Sequence, residues 1–182
     1  MFKKEIWEII PGLQIEGKPA PYGVLNERSV RATAGIMFAI WFFTMLTTWY
    51  TKDYTLLTFV VISFFSDFFI KVFFWPKYSP LSFFGKLLVK NQKPEYVWAI
   101  QKRFAWTLGL IMSGSVILLA IVFEIRWILP LALCSICLIF MWLESSVWVC
   151  VGCNIYSFLL KKWIIKQPAV RPACPGWVCS LR

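Results

Sequence analysis

Two cysteines separated by a valine and a glycine, Cys150-Val151-Gly152-Cys153, stand where a long apolar run gives way to a basic tail. A Cys-x-x-Cys pair can cycle between dithiol and disulfide, carry a persulfide, or bind a soft metal. On a continuing helix the two thiols share a face, and Gly152 lets the backbone bend between them. Two further pairs flank them. Cys134 and Cys137 lie deeper in the apolar run and, with Met141 and Glu144, follow 3–4–3 spacing. On an ideal helix these four cover an arc of about 80°. Two thiols, a thioether and a carboxylate could there line a path for a soft ion, although the same residues suit plain helix packing. Cys174 and Cys179 fall in a proline- and glycine-rich tail. From there they could fold back as resolving thiols or complete a four-thiolate zinc site. Lys161 and Lys162, one or two turns beyond Cys153, are the cations expected to act on the thiols.

The elements that position these groups are apolar helices. Of the 182 residues, 59% are hydrophobic, against about 45–50% in soluble domains. The mean hydropathy is +0.68. Ala32–Tyr50, Tyr54–Trp75, Phe104–Phe123 and Trp127–Val149 each approach the ~20 apolar residues that cross a bilayer. Thr51-Lys52-Asp53 and Glu124-Ile125-Arg126 are tight turns between them. The expected fold is all-α: an integral membrane bundle of four transmembrane helices, with a short cytosolic interfacial helix between spans two and three. Ser79-Pro80 starts that helix, a cap followed by proline in the first turn. Pro94 begins a further helix that runs into span three. Residues 1–31 form a cytosolic arm, 32–165 the transmembrane domain, and 166–182 a flexible tail. Asn26 is placed to cap the first helix. Trp41, Trp49, Tyr50, Trp75, Tyr78, Trp98, Trp106, Trp127 and Trp148 lie near span ends and read as an interfacial aromatic belt.

The net charge is +10, but the bases flank membrane spans, so anionic lipid rather than nucleic acid is their expected partner. Lys and Arg number 5, 1, 7, 1 and 5 through the successive connecting segments. The positive-inside rule then places both termini and the central segment in the cytosol. No histidine is present, which excludes His-ligated haem, His metal sites and His-based triads. Ile6–Ile10 is too short for a signal-peptide core and Glu8 interrupts it, so no cleavable leader is expected. Inside span two, Asp67 and Lys71 are one turn apart and read as an internal ion pair. The alternative is that Lys71 snorkels and Asp67 meets Arg28 or Arg103, with Glu144 neutralising one of those arginines. Ala105, Gly109 and Ser113, four residues apart, mark a close helix approach, read as packing within the bundle, with a homodimer contact as the alternative.

Several segments together resemble a known family. They are Val24-Leu25-Asn26-Glu27-Arg28-Ser29-Val30-Arg31, Ser66-Asp67-Phe68 with Lys71, Tyr78-Ser79-Pro80-Leu81, Gln101-Lys102-Arg103-Phe104-Ala105, and Cys150-x-Gly-Cys153-x-x-Tyr156. The chain is similar over roughly residues 20–160 to the bacterial four-helix membrane family catalogued as domain of unknown function 4395. The resemblance implies the fold and the importance of the Cys-x-Gly-Cys pair, and carries no established activity. The family is expected to have arginine where this chain has Lys71, which keeps the charge and loses the bidentate fork. Three functions compete. The first is a thiol module of the bacterial inner membrane, in which Cys150 and Cys153 exchange electrons or sulfane sulfur with a thioredoxin-like or rhodanese-like cytosolic protein. The second is handling of a thiolate-bound soft metal or a sulfur anion along the Cys134–Glu144 stripe. The third is a non-catalytic scaffold.

Overall fold

The computed structural model describes residues 10–15, 18–19, 22–123 and 128–162. Cys174, Cys179 and the Glu124–Arg126 turn lie outside them.

The architecture is all-α apart from two short ladders. Helix α1 spans Glu27–Thr51, α2 Thr55–Phe73, α3 Pro80–Leu88, α4 Ala99–Ile117, α5 Ile128–Trp142 and α6 Val151–Lys161. Three helical stretches are long and apolar enough to cross a membrane: Glu27–Thr51, Thr55–Phe73 and Ala99–Ala120. The third includes a π turn that extends α4. A fourth crossing would have to be assembled from α5 and α6, which meet at a sharp bend. Asn26 caps α1 as expected, its side chain accepting a hydrogen bond from the Arg28 N–H at 3.2 Å. At the far end Lys52 turns left-handed and closes the helix onto the Thr48 carbonyl. Asp53 then opens α2 by accepting from the Thr55 N–H at 2.9 Å. Hydrogen bonding from Thr55 holds the Asp53 carboxyl below the usual carboxylate range.

The polarity of the bundle is inverted relative to a water-soluble protein. Phe43, Trp49, Phe59, Ile111 and Ile139 face outward. Glu27, Arg31, Asp67, Lys71, Lys102 and Ser113 are buried. Charged groups concealed behind an apolar surface are what a hydrocarbon solvent selects.

Two features depart from the sequence expectation. Helix α4 starts at Ala99 rather than at Pro94, because Tyr96–Trp98 (β4) pairs antiparallel with Val24–Asn26 (β3). The Ala99 N–H donates to the Gly23 carbonyl, and the Glu27 N–H to that of Glu95, so one small ladder sets the start of both α1 and α4. The N-terminal arm is thus joined to the bundle from Val24 onward. Three members of the expected aromatic belt are instead buried, because each finds partners inside. Trp41 donates through Nε1 to the Cys134 carbonyl at 3.1 Å. Trp98 meets the Tyr156 ring edge-on. Trp106 faces the Lys71 ammonium. Trp49, Tyr50, Trp75, Tyr78 and Trp148 are exposed, and Trp127 lies outside the described residues.

Asp67 and Lys71 form the internal ion pair, Nζ to Oδ2 at 2.6 Å, with both side chains almost wholly buried. Asp67 Oδ1 accepts from the Ser79 hydroxyl at 2.5 Å, and Ser79 Oγ accepts the Ser82 N–H that it caps. The Ser79-Pro80 helix start therefore anchors α3 to α2. On its other side α3 packs against α1, where a Cβ at Gly85 would lie 2.8 Å from the Ser29 carbonyl oxygen. Phe83, Phe84, Leu87 and Leu88 face outward, as an interfacial helix requires.

Removing one partner of a buried ion pair costs about 3–5 kcal/mol. Asp67→Ala is therefore expected to lower thermal stability in detergent sharply. Ser79→Ala should cost less, about 1–3 kcal/mol. Asp67→Leu combined with Lys71→Met should recover much of the loss, because no uncompensated charge then remains.

Candidate functional site

The site is made by a break in the chain. After α5 a π turn, Leu143–Val147, loosens the helix, and Trp148 then adopts a left-handed conformation at φ 65°. A bulky residue there costs about 1–2 kcal/mol. The Arg31 guanidinium lies 4.8 Å from the Trp148 ring centroid and helps to hold it. The chain turns by 93° and restarts as α6.

The expectation of Cys150 and Cys153 at the end of a straight fourth span is thereby corrected. They open a new helix that folds back onto α4. Cys150 is the N-cap of α6, its sulfur accepting from the Cys153 N–H at 3.4 Å. The two Sγ atoms lie side by side, 2.7 Å apart. Both cysteines are free thiols and buried, 4% and 2% exposed.

Gly152 is required by the packing. A Cβ there would lie 2.6 Å from Ala105 Cβ and 2.7 Å from Ala105 Cα on α4. Of the small residues on α4, Ala105 thus receives α6, Gly109 receives the Phe68 ring of α2, and Ser113 is buried. All three serve contacts within the chain.

One turn before Ala105 stands Lys102, 3% exposed, and the sequence reading missed it. Its Nζ donates to Glu27 Oε1 and to Glu144 Oε1, both at 2.9 Å. The ammonium also lies close enough to both thiols to interact with them electrostatically. From Glu27 the network continues to Arg31 Nε at 3.3 Å, from Arg31 to Glu95 at 3.5 Å, and from Glu95 to Arg28 at 2.6 Å. Three cations and three carboxylates alternate from the surface to the thiols. The expected network is corrected on two points. Arg28 pairs with Glu95 rather than with Asp67, which is held by Lys71 and Ser79. Glu144 pairs with Lys102 rather than with an arginine. Arg103 is half-buried on the adjoining side of α4. The signal for Lys102 was readable in the sequence: Ala105, Gly109 and Ser113 mark the inward face of α4, and Lys102 extends that face by one turn.

Lys161 and Lys162 do not serve the thiols. Both stand at the opposite end of α6, about 12 Å along the axis from Cys153, and Lys162 Nζ lies over the Phe158 ring.

The bend also brings the deeper stripe and the thiol pair together. A cavity of about 100 Å³ is lined by Met112, Cys137, Met141, Glu144 and Cys150. Cys137 Sγ meets Met112 Sδ at 4.0 Å. Cys134 is directed elsewhere, into the apolar core with Trp41 and Phe64. A larger cavity of about 640 Å³, between α1, α2, α3 and β3, meets the smaller one at Phe68, Trp106, Met141 and Glu144. Among the described residues, no three His, Cys, Asp or Glu side chains gather closely enough to hold a metal ion.

Adding a methyl group to Gly152 is expected to lift α6 from α4 and expose the thiols. Gly152→Ala should cost about 1–3 kcal/mol and speed maleimide labelling of Cys150, and Ala105→Gly in the same chain should restore neither property fully, because the backbone at residue 105 stays within 2.7 Å of the added methyl group.

No curated protein and no solved structure matches the chain. A family model described as "Domain of unknown function (DUF4395)" matches residues 25–161. That span runs from β3 to the end of α6 and takes in the thiol pair, the Lys102 network and the Asp67–Lys71–Ser79 anchor, and the chain belongs to the family of domain of unknown function 4395.

Proposed function

We propose that the protein is a membrane thiol module in which Cys150 and Cys153 exchange disulfide or sulfane sulfur with a cytosolic partner of thioredoxin-like or rhodanese-like chemistry. The observation that carries this reading is the close approach of the two thiols, 2.7 Å between sulfurs, at the start of α6 near a buried ammonium. A helix N-terminus and a nearby cation are the surroundings that stabilise an anionic sulfur. In this scheme the Cys150 thiolate attacks a disulfide sulfur of the partner. The partner's other sulfur leaves as a thiolate, and Cys153 then displaces the second, closing the Cys150–Cys153 disulfide. The pair is oxidised by two electrons and the partner becomes a dithiol; the reverse sequence reduces the pair. Lys102 is the cation near the sulfur anion and remains tied to Glu27 and Glu144.

The distribution of Lys and Arg supports a cytosolic location for both termini and the α2–α4 connection, in a bacterial inner membrane. The thiol pair then lies on the side where glutathione and thioredoxin systems keep thiols reduced.

In the full chain reconstituted in nanodiscs, Cys153→Ser is expected to accumulate a mixed disulfide between Cys150 and a small disulfide probe. Cys150→Ser should not accumulate one at Cys153. Unchanged trapping in the double variant would remove the proposal. Lys102→Met should slow alkylation of Cys150 by on the order of tenfold, equivalent to about 1.4 kcal/mol, while Lys102→Arg should retain most of the rate.

A further inference from the structure

The space around the thiols is more selective than thiol chemistry in general. Both sulfurs are enclosed, and of the two cysteines only Cys150 lines the cavity of about 100 Å³. That volume is ample for an added sulfur atom and its hydrogen. The walls suit such an occupant. Met112, Met141 and Cys137 offer polarisable sulfur and no strong hydrogen-bond donor. Lys102, bonded to the lining residue Glu144, moderates the negative charge of that wall and is the cation near Cys150.

We propose that this cavity is a persulfide chamber: Cys150 takes one sulfane sulfur from a low-molecular-weight persulfide or polysulfide and holds it among Met112, Cys137 and Met141. The inference rests on the thiol reading of Cys150 and Cys153 and selects its substrate class. The Cys150 thiolate attacks the terminal sulfane sulfur of the donor. A sulfur–sulfur bond forms at Cys150, the donor's sulfur–sulfur bond breaks, and its electron pair leaves on the shortened donor as a thiolate. The protein undergoes no net oxidation in this step. Release follows when Cys153 Sγ, 2.7 Å away, attacks Cys150 Sγ. The outer sulfur departs with the bonding pair and the Cys153 proton as hydrosulfide, leaving the Cys150–Cys153 disulfide. The pair has then lost two electrons and the sulfane sulfur has gained them.

The test uses the full chain in nanodiscs, inorganic tetrasulfide as the probe, and alkylation followed by peptide mass mapping. Wild-type protein should convert to the Cys150–Cys153 disulfide with release of one sulfide. Cys153→Ser should stop earlier, with the mass of one additional sulfur on Cys150 and little on Cys134 or Cys137. Cys137→Phe, which fills the chamber, should lower the rate of sulfur uptake at least tenfold while keeping a cooperative thermal unfolding transition in detergent, showing that the variant is folded. Should Cys137→Phe prove unstable, Met112→Phe serves the same purpose from the facing helix. Sulfur appearing preferentially on Cys153, or uptake unchanged in a folded chamber-filled variant, would overturn the inference. A pair that diamide oxidises but tetrasulfide never labels would also overturn it while leaving the thiol reading intact. A pair that neither reagent alters would remove both.

Discussion

Lys102 carries a positive charge inside an apolar bundle, and much of the surrounding structure acts to compensate it. An isolated buried ammonium would cost several kcal/mol, so carboxylates must reach it from two directions. Glu27 comes from the first turn of α1, whose start is set by the β3–β4 ladder and the Asn26 cap. Glu144 comes from the π turn after α5. A regular helix would carry residue 144 and everything beyond it straight on. The π turn and the left-handed Trp148 instead turn the chain through a right angle, seating α6 on α4 with its first thiol near the ammonium. Charge compensation and thiol placement are thus two results of one local deformation, and Arg31 links them by contacting both Glu27 and Trp148.

The second buried ion pair has a separate role. Asp67 and Lys71 saturate each other and Ser79, and so hold α3 at the edge of the bundle. Phe68, between them on α2, fills the gap opposite Gly109 and forms part of the wall shared by the two cavities. Structural charges and site-forming charges are therefore separate ion pairs, with the Phe68 and Trp106 rings packed between them.

Features governed by local chemistry were legible in the sequence. The Asn26 cap, the Ser79-Pro80 helix start, the one-turn Asp67–Lys71 pair and the apolar helices follow from rules that act over a few residues. The small-residue face of α4 was read correctly as an internal contact, but its continuation to Lys102 was passed over in favour of Arg103. Hydropathy could not reveal the bend at Trp148, because Val147-Trp148-Val149 is as apolar as the helix before it. The bend is dictated by contacts far along the chain, from Arg31 and Ala105. For the same reason the Met112–Cys137–Met141–Cys150 chamber has no sequence signature: its walls come from α1, α2, α4, α5 and α6, the last turned onto the others by the bend.

Equilibrating the full chain in nanodiscs with glutathione buffers of graded potential, and assigning each cysteine by differential alkylation and peptide mass mapping, tests the central claim most directly. The account predicts one reversible two-electron transition confined to Cys150 and Cys153, with Cys134 and Cys137 remaining reduced through it. A pair that stays reduced at every potential, or that oxidises only together with Cys134 and Cys137, would contradict it.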